Sequence, residues 1–171
     1  MNVMETIKER YSVRKYQDRD VEEEKLMRLL EAARLAPSAK NRQEWRFIVV
    51  KDAAKRKELI KAAKNQEFVG QAPVVLACCA KTENHVMACG QLCYPIDIAI
   101  AMEHICLQAV EEGLGTCWIG AFYEMPVKEL LNIPPEIRVV ELLTIGYPAD
   151  TPTVKNRLPM EDIVMKECWG G

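Results

Sequence analysis

Two arginines and a serine near the start of the chain are the first residues whose type and spacing could do chemistry. In the stretch RYSVRKY, Arg10, Ser12 and Arg14 occupy alternate positions, so their side chains would emerge on one side of an extended segment. Two guanidinium groups and a hydroxyl that converge in this way would suit a phosphate. A solvated basic turn after a helix accounts for the same pattern, and charge alone favours that simpler interpretation.

A second pair of cations lies near the other end of the chain. Residues 147–171 contain prolines at positions 148, 152 and 159, so they cannot form one long helix and are expected to form an extended arm. Lys155 and Arg157 are two positions apart within this arm, and an extended backbone would place both charges on one side of it.

A glycine-rich segment, residues 113–120, could accommodate a flat ligand. Gly113 is expected to end a helix, because glycine reaches the left-handed conformation without a Cβ penalty. The residues that follow, LGTCWIG, combine small side chains with one large aromatic, Trp118. Such a segment would let a planar ring lie against main-chain N–H groups.

The histidines and cysteines give weaker signals. His85, Cys89 and Cys93 are spaced by four and would share one face of a helix, but three such residues without a paired Cys-x-x-Cys are more often ordinary, so we expect no metal. No Ser-His-Asp set or pair of carboxylates suggests hydrolysis. The seven cysteines are an odd number, and we expect reduced thiols that mostly fill the core.

The composition of the 171 residues predicts one globular domain in the cytoplasm. Hydrophobic residues make up 49% and charged residues 28%, which excludes a disordered chain. The net charge of −2 gives no indication of a nucleic acid or an anionic membrane as partner. The charged start lacks the apolar region of a secretory signal, and no apolar run approaches the roughly 20 residues that span a bilayer.

A long apolar helix is expected to hold the glycine-rich segment in place. The pattern before Gly113 predicts this helix, with Asp97 as its N-cap and Pro95 just outside it. Apolar residues cover far more than one stripe of its surface. We therefore expect it to be covered on several sides, within a large core or at a subunit interface.

The other elements follow from hydrophobic periodicity and capping signals. Helices are predicted at residues 3–10, from Asp20 to position 36, at 52–64 and at 125–131, and strands at 45–50, 74–80 and 138–146. The middle strand is apolar on both faces and should be central in a sheet. This order of elements predicts an α+β sandwich.

Five stretches, RYSVRKY, APSAKNRQEWRF, GLGTCWIGAF, IGYP and KNRLP, together resemble the FMN-dependent nitroreductase family in its short form, over residues 7–163. The resemblance implies a three-layer α-β-α sandwich with a central mixed or antiparallel sheet. It also implies an interlocked homodimer with two FMN molecules at the interface. The central helix would pack against its twin, and the arm, residues 148–171, would cross to the partner subunit.

The resemblance also implies roles for particular residues. The expected cofactor-binding residues are Arg10, Tyr11, Ser12, Arg14, Pro37, Ser38, Asn41, Gln66, Trp118, Ile119, Gly120, Lys155 and Arg157. The cations at both chain ends would hold the phosphate, and residues 37–41 would reach the flavin from the other subunit. Gln66 would lie near the pyrimidine edge, and the backbone of residues 118–120 would face flavin N5.

The implied activity is an FMN-dependent NAD(P)H oxidoreductase, with NADH or NADPH as electron donor. It would transfer two electrons through flavin N5, by a ping-pong route, to a nitroaromatic, a quinone or a similar small acceptor, without a catalytic side chain. Two alternatives stay open: another flavin reaction on the same scaffold, such as enoate reduction, dehalogenation or flavin breakdown, and a non-catalytic flavin-binding or redox-sensing protein. Glu44, where the family often has proline, and the short segment 81–94 bear on the choice of acceptor.

Overall fold

A four-stranded antiparallel sheet lies at the centre of the computed structural model, which describes residues 1–152 and 155–170. The strands are β1 (Trp45–Val50), β2 (Val74–Ala80), β3 (Gly115–Ile119) and β4 (Arg138–Gly146), in the spatial order β1-β2-β4-β3. The helices are α1 (Val3–Glu9), α2 (Glu23–Arg34), α3 (Ala53–Ala62), α4 (Phe68–Gln71), α5 (Cys93–Glu111), α6 (Glu124–Leu131) and α7 (Met160–Ile163), with a 3-10 turn at Ala39–Asn41.

Strand β2 separates two hydrophobic cores, and every one of its residues is buried. Leu76 and Cys78 pack on the side of α2 and α5, whereas Val75, Ala77 and Cys79 pack on the side of α3 and α6. Helices therefore cover both faces of the sheet, which gives the three layers of the expected α-β-α sandwich. The prediction that this strand is central is confirmed by its pairing with both β1 and β4.

The central helix, α5, is present, but its predicted start was wrong. It begins at Cys93, and Pro95 lies in its first turn, where a missing N–H costs no hydrogen bond. Asp97 is inside the helix and only 4% exposed, and its carboxylate accepts a hydrogen bond from the Ala39 N–H (3.1 Å). Gly113 follows the helix with φ +71°, as predicted for a C-terminal glycine.

Strand β3 was not predicted from the sequence. Residues 115–119 pair with β4 in antiparallel register, from Gly115 opposite Gly146 to Ile119 opposite Leu142. The strand is short and has a glycine at its start and another directly after its end. It therefore lacks the run of β-branched or aromatic residues from which a strand is normally predicted. The residues expected to form a glycine-rich turn therefore form a strand with defined register.

The start of one other helix also differs from the expectation. Helix α2 begins at Glu23 and not at Asp20, and its two acidic residues in the first turn are favourably placed for the helix dipole. Helix α3 begins where predicted, and the Asp52 carboxylate accepts from the Lys55 N–H (2.8 Å) as its N-cap.

Large apolar side chains remain exposed at both ends of the chain. On α1, Val3 is 71% exposed and Met4 58%, and in the C-terminal segment Met160 is 66% exposed and Trp169 90%. All described residues from 156 to 170 are exposed. An apolar surface of this extent is typical of a protein–protein contact.

Candidate functional site

The segment that carries the N-terminal cations lies along β3. Val13 is fully buried, its N–H donates to the Thr116 carbonyl (2.9 Å), and Ser12 forms a β-bridge with the same residue. Gly115 permits this close approach, because a Cβ at that position would collide with the Val13 side chain. Ser12 and Arg14, on either side of Val13, are exposed. The burial of Val13 therefore turns both polar side chains to the same side, as the alternation predicted.

A cavity brings the two ends of the chain together at this segment. It has a volume of about 200 Å³ and is lined by Arg10, Tyr11, Ser12, Arg14, Lys155, Asn156 and Arg157. The Lys155 ammonium donates to the backbone carbonyls of Lys8 and Ile7, which attaches the C-terminal segment to the end of α1. All four cations predicted from opposite ends of the sequence thus surround one cavity.

The charge around this cavity is strongly positive. Burial, followed by the nearby Arg10 and Arg157 guanidinium groups, lowers the pKa of Lys155. Within the described part of the chain, one carboxylate is ion-paired with these four cations, that of Glu103 at 3.4 Å from Arg10. A bound anion would relieve the repulsion between the cations and use their donors.

Asp150, which was not predicted as a site residue, fixes the shape of the basic segment. Its carboxylate accepts from the Arg14 N–H (2.9 Å) and from the Tyr11 hydroxyl (3.2 Å), which also donates to the Asp150 carbonyl (3.0 Å). Burial and then the Asp150 carboxylate raise the pKa of Tyr11 to about 12, so the phenol stays a neutral donor. The hydrogen bond between Arg14 and Asp150 joins residues 136 positions apart, so no local sequence pattern predicts it.

The loop of residues 37–43 has a strained backbone. Its left-handed residues are Lys40 (φ 51°), Asn41 (φ 55°) and Gln43 (φ 51°). Such conformations persist in non-glycine residues when the surroundings fix them. Here the Ser38 hydroxyl accepts from the Gln43 N–H (3.1 Å), and Asp97 of the central helix accepts from Ala39. The loop is therefore held in one preformed shape.

This loop lies apart from the basic cavity. Pro37, Ser38 and Asn41, all expected at the flavin, are absent from the cavity lining within the described residues. Pro37 and Asn41 are exposed and Ser38 is half-buried, so the loop presents itself at the surface. Its expected contact with the flavin of a second subunit stays a prediction.

Gln66 belongs to a second group of residues, at the turn after β3. Its amide donates to the Ala63 carbonyl (2.9 Å) and to the Ala121 carbonyl (3.2 Å). The Tyr123 N–H donates to the Ala62 carbonyl (2.8 Å), which holds the same turn against the end of α3. Gln66 thus lies beside the turn after Gly120, and its expected place near the pyrimidine edge of the flavin stays a prediction.

The residues expected at flavin N5 form the end of β3 and this turn. The Trp118 indole N–H donates to Cys106 Sγ on the central helix (3.1 Å), Ile119 is buried, and Gly120 is exposed. Thr116, which contacts the basic segment, precedes Gly120 by four residues, and a strand of that length spans about 13 Å. Strand β3 therefore joins the two groups of predicted site residues.

Glu141 is a half-buried glutamate of β4 at this turn, and its place there was not predicted from the sequence. Its two carboxylate oxygens lie 3.2 and 3.3 Å from the position that a Cβ on Gly120 would occupy. The Oε2 atom is inaccessible to solvent and has no hydrogen-bond partner among the described residues. Burial raises the pKa of this carboxyl. The one available signal was a charged residue inside the otherwise apolar strand RVVELLTIG.

The cysteines are mainly core residues, as expected. Five of the seven are buried and unpaired, and burial raises the pKa of Cys79 and of Cys106 to about 11, which disfavours the reactive thiolate. His85, Cys89 and Cys93 do not share a helix face, because their segment folds back on itself through a bridge between Val86 and Leu92. No group of metal-binding side chains is found in residues 1–152 and 155–170.

The sequence matches a known protein family over most of its length. The Nitroreductase family matches residues 7–88 and 60–147. An FMN reductase (NAD(P)H) from Bacillus subtilis is 32% identical over 184 residues, covering 98% of this chain and 74% of that protein.

Solved structures of similar size share the fold. A nitroreductase family protein from Clostridium difficile 630 has a TM-score of 0.88 and 35% identity, covering 98% of this chain and 99% of its own. An FMN-dependent nitroreductase from Clostridium difficile R20291 has a TM-score of 0.85 and 31% identity, covering 96% of this chain and 99% of its own.

Proposed function

Because the chain belongs to the nitroreductase family and is an NAD(P)H-dependent flavin oxidoreductase that uses FMN, we propose that its FMN lies along β3, with the phosphate in the basic cavity. In this proposal two electrons pass by a ping-pong route to a small electron-poor acceptor such as a quinone or a nitroaromatic. The observation that carries the proposal is the convergence of four cations from both chain ends on one cavity of about 200 Å³.

The phosphate end of the proposed site rests on charge and on donors. Arg10, Arg14, Lys155 and Arg157 offer guanidinium and ammonium donors, and Ser12 and Tyr11 add hydroxyls. A phosphate dianion would match this set in sign and in number of acceptors, and each hydrogen bond to a charged partner contributes about 1.5–3 kcal/mol. Asp150 would act through Arg14 and Tyr11, by keeping their backbone and hydroxyl in place.

The proposed place of the flavin ring is supported by the length of β3 and by the backbone N–H groups at its end. A strand length of about 13 Å separates Thr116 from Gly120, and a phosphate joined by a short polyol to a flat ring can bridge two such points. The backbone of residues 118–120 would donate to the ring, Trp118 is held by Cys106, and Gln66 stands beside the turn. Bound FMN supplies the hydride chemistry, and these residues orient it and exclude water from one face.

We further propose a cytoplasmic homodimer with FMN at the subunit interface. The exposed apolar side chains of α1 and of residues 158–169 would be covered by the partner, since one chain leaves them in solvent. The strained loop with Pro37, Ser38 and Asn41 would complete the flavin site of the other subunit. Sedimentation of the FMN-loaded protein at two concentrations checks this, and a monomer at both would contradict it.

The test of the phosphate site is replacement of Arg14 by alanine. Loss of one charged donor predicts an FMN dissociation constant about ten-fold to a hundred-fold higher, from about 1.5–3 kcal/mol at 1.4 kcal/mol per ten-fold. Arg34, an exposed arginine paired with Glu31 on α2, provides the matched control, and Arg34→Ala should keep wild-type affinity. Equal affinity of the Arg14→Ala variant and the wild type in fluorescence titration would refute the phosphate assignment.

A further inference from the structure

The carboxyl of Glu141 occupies the space beside Gly120 that a side chain at that position would fill. Both its oxygens lie within 3.3 Å of the Cβ position of Gly120. The last residue pair between β3 and β4 is Ile119 with Leu142. Glu141 precedes Leu142 in β4, so it lies one residue beyond this last pair. Strand β4 therefore places Glu141 beside the turn at Gly120, where the flavin ring is proposed to bind.

This carboxyl lacks the partners that buried carboxylates normally have. Its Oε2 is inaccessible to solvent and accepts no hydrogen bond within the described residues. Burying such an oxygen costs free energy unless the group is protonated or gains a partner. The carboxylates of Glu44 and Asp97 also have one unpartnered buried oxygen each, but their other oxygen accepts from the Arg42 guanidinium and from the Ala39 N–H, respectively. An unpartnered carboxyl beside a predicted site is therefore a candidate for chemistry.

Charged neighbours do not explain the raised pKa of Glu141. Burial is the cause of its raised pKa, and no charged group on α5, β2 or β3 in the described part of the chain contributes to that shift. The thiol of Cys78 lies opposite Glu141 on β2. Burial is the main cause of the raised pKa of Cys78, and the Glu141 charge adds to it. New negative charge arriving nearby would therefore act directly on Glu141, since no fixed cation compensates it.

We propose that Glu141 holds the proton that the reaction needs in addition to the hydride. Its carboxylate would bind a proton when the cofactor beside Gly120 is reduced, and would release it as the acceptor is reduced. This inference rests on the proposed function, because it requires the ring of FMN at the Gly120 turn. Like charges at close range favour protonation of the carboxylate, so reduction and proton uptake are thermodynamically coupled.

The atoms and electrons balance with a quinone as acceptor. NAD(P)H gives up a hydride, which carries two electrons and one proton, and becomes NAD(P)⁺. The second proton comes from water, and an O–H bond forms at the Glu141 carboxylate. When the quinone takes the two electrons, that O–H bond breaks, both protons reach the quinone oxygens, and hydroquinone leaves with the carboxylate restored.

The first experiment measures proton uptake during anaerobic reduction of the FMN-loaded protein in weak buffer, from about pH 5 to about pH 9, the range in which perturbed carboxyls titrate. The wild type should take up one more proton per two electrons than Glu141→Gln within part of this range. Glu141→Asp should recover part of the difference. Glu129→Gln, at an exposed glutamate of α6, is the matched control and should behave as the wild type.

A second experiment does not need the cofactor. In infrared spectroscopy of the FMN-free protein titrated from about pH 9 to about pH 5, one protonated-carboxyl band should appear at a higher pH than those of ordinary carboxyls, and Glu141→Gln should remove it whereas Glu129→Gln keeps it. With FMN bound, Glu141→Gln should slow quinone reduction about 10²-fold or more, because the variant cannot supply the proton that the acceptor takes up.

The outcomes separate the two proposals. If FMN binds normally and the wild type and Glu141→Gln take up the same number of protons at every pH, the role of Glu141 is refuted and the proposed function stands. If the wild type binds no FMN, the proposed function fails, and this inference fails with it. A Glu141→Gln variant that unfolds would leave Glu141→Asp and the infrared titration to decide.

Discussion

Replacement of Gly115 by alanine tests whether β3 positions the basic segment. A Cβ at this position collides with the side chain of Pro148 and with that of Val13, whose neighbours Ser12 and Arg14 line the basic cavity. Overpacking of this kind costs about 1–3 kcal/mol. At about 3 °C per kcal/mol for a chain of this size, Tm should fall by about 3–9 °C.

The same substitution should weaken FMN binding. If Val13 moves away from β3, Ser12 and Arg14 leave their positions, and the loss of one charged hydrogen bond of about 1.5–3 kcal/mol raises the dissociation constant about ten-fold or more. Thermal unfolding and fluorescence titration of the same preparation give both quantities. The predicted signature is a loss of stability together with a loss of affinity.

Gly113, two residues before Gly115, supplies the matched control. A Cβ there meets nothing within 4 Å, but φ is +71°, so Gly113→Ala should cost about 1–2 kcal/mol through the left-handed backbone alone. Its stability should fall while FMN affinity stays at the wild-type value. Wild-type affinity of Gly115→Ala, despite a lowered Tm, would refute the argument that β3 holds the phosphate donors.

Three further predictions concern individual groups. Tyr16→Phe removes a buried hydroxyl that donates to the Val13 carbonyl (3.1 Å) and shares a hydrogen bond with Thr144 (2.7 Å), so it should lower stability by about 1–3 kcal/mol, and an unchanged Tm would contradict this. The Tyr147 hydroxyl, more than Arg19, lowers the pKa of Glu22 to about 2 from 4.5, so its stabilising effect should be present above the ordinary pKa and disappear as pH falls toward 2. Glu22→Gln should flatten this acid limb in a plot of Tm against pH, and an unaltered limb would count against it. In thiol labelling, Cys89 and Cys168 should react in the native protein and all seven cysteines after unfolding, whereas rapid native labelling of more than two would show that the cores open.

Much of the sheet could be predicted because its strands carry their own signal. The bounds of β1, β2 and β4 agree with the sequence prediction, since runs such as WRFIVV and VVLACCA are rich in β-branched and apolar residues. Strand β3 lacks that signal, and its pairing with β4 gives it its conformation. The start of α5 was misplaced because Asp97 has the type of an N-cap residue but serves a loop 58 positions earlier.

The site residues also divide into those that a local sequence pattern indicates and those that it does not. The alternation of Arg10, Ser12 and Arg14 is local, so the sequence could indicate their common direction. Their meeting with Lys155 and Arg157 followed from the resemblance and not from spacing, because chain geometry alone does not join the two ends. Asp150 and Glu141 were missed because each acts on a residue far away in the sequence, and a single acidic residue carries no information about its partner.

The most direct test of the proposed function is an anaerobic visible spectrum of the purified protein, reconstituted with FMN, before and after addition of NADH or NADPH. The proposal predicts that FMN binds and that its oxidised absorption bleaches with at least one of the two nucleotides and returns when a quinone is added. Protein that binds no FMN would contradict the phosphate site. Bound FMN that neither nucleotide bleaches would contradict the proposed transfer of electrons from NAD(P)H to the acceptor.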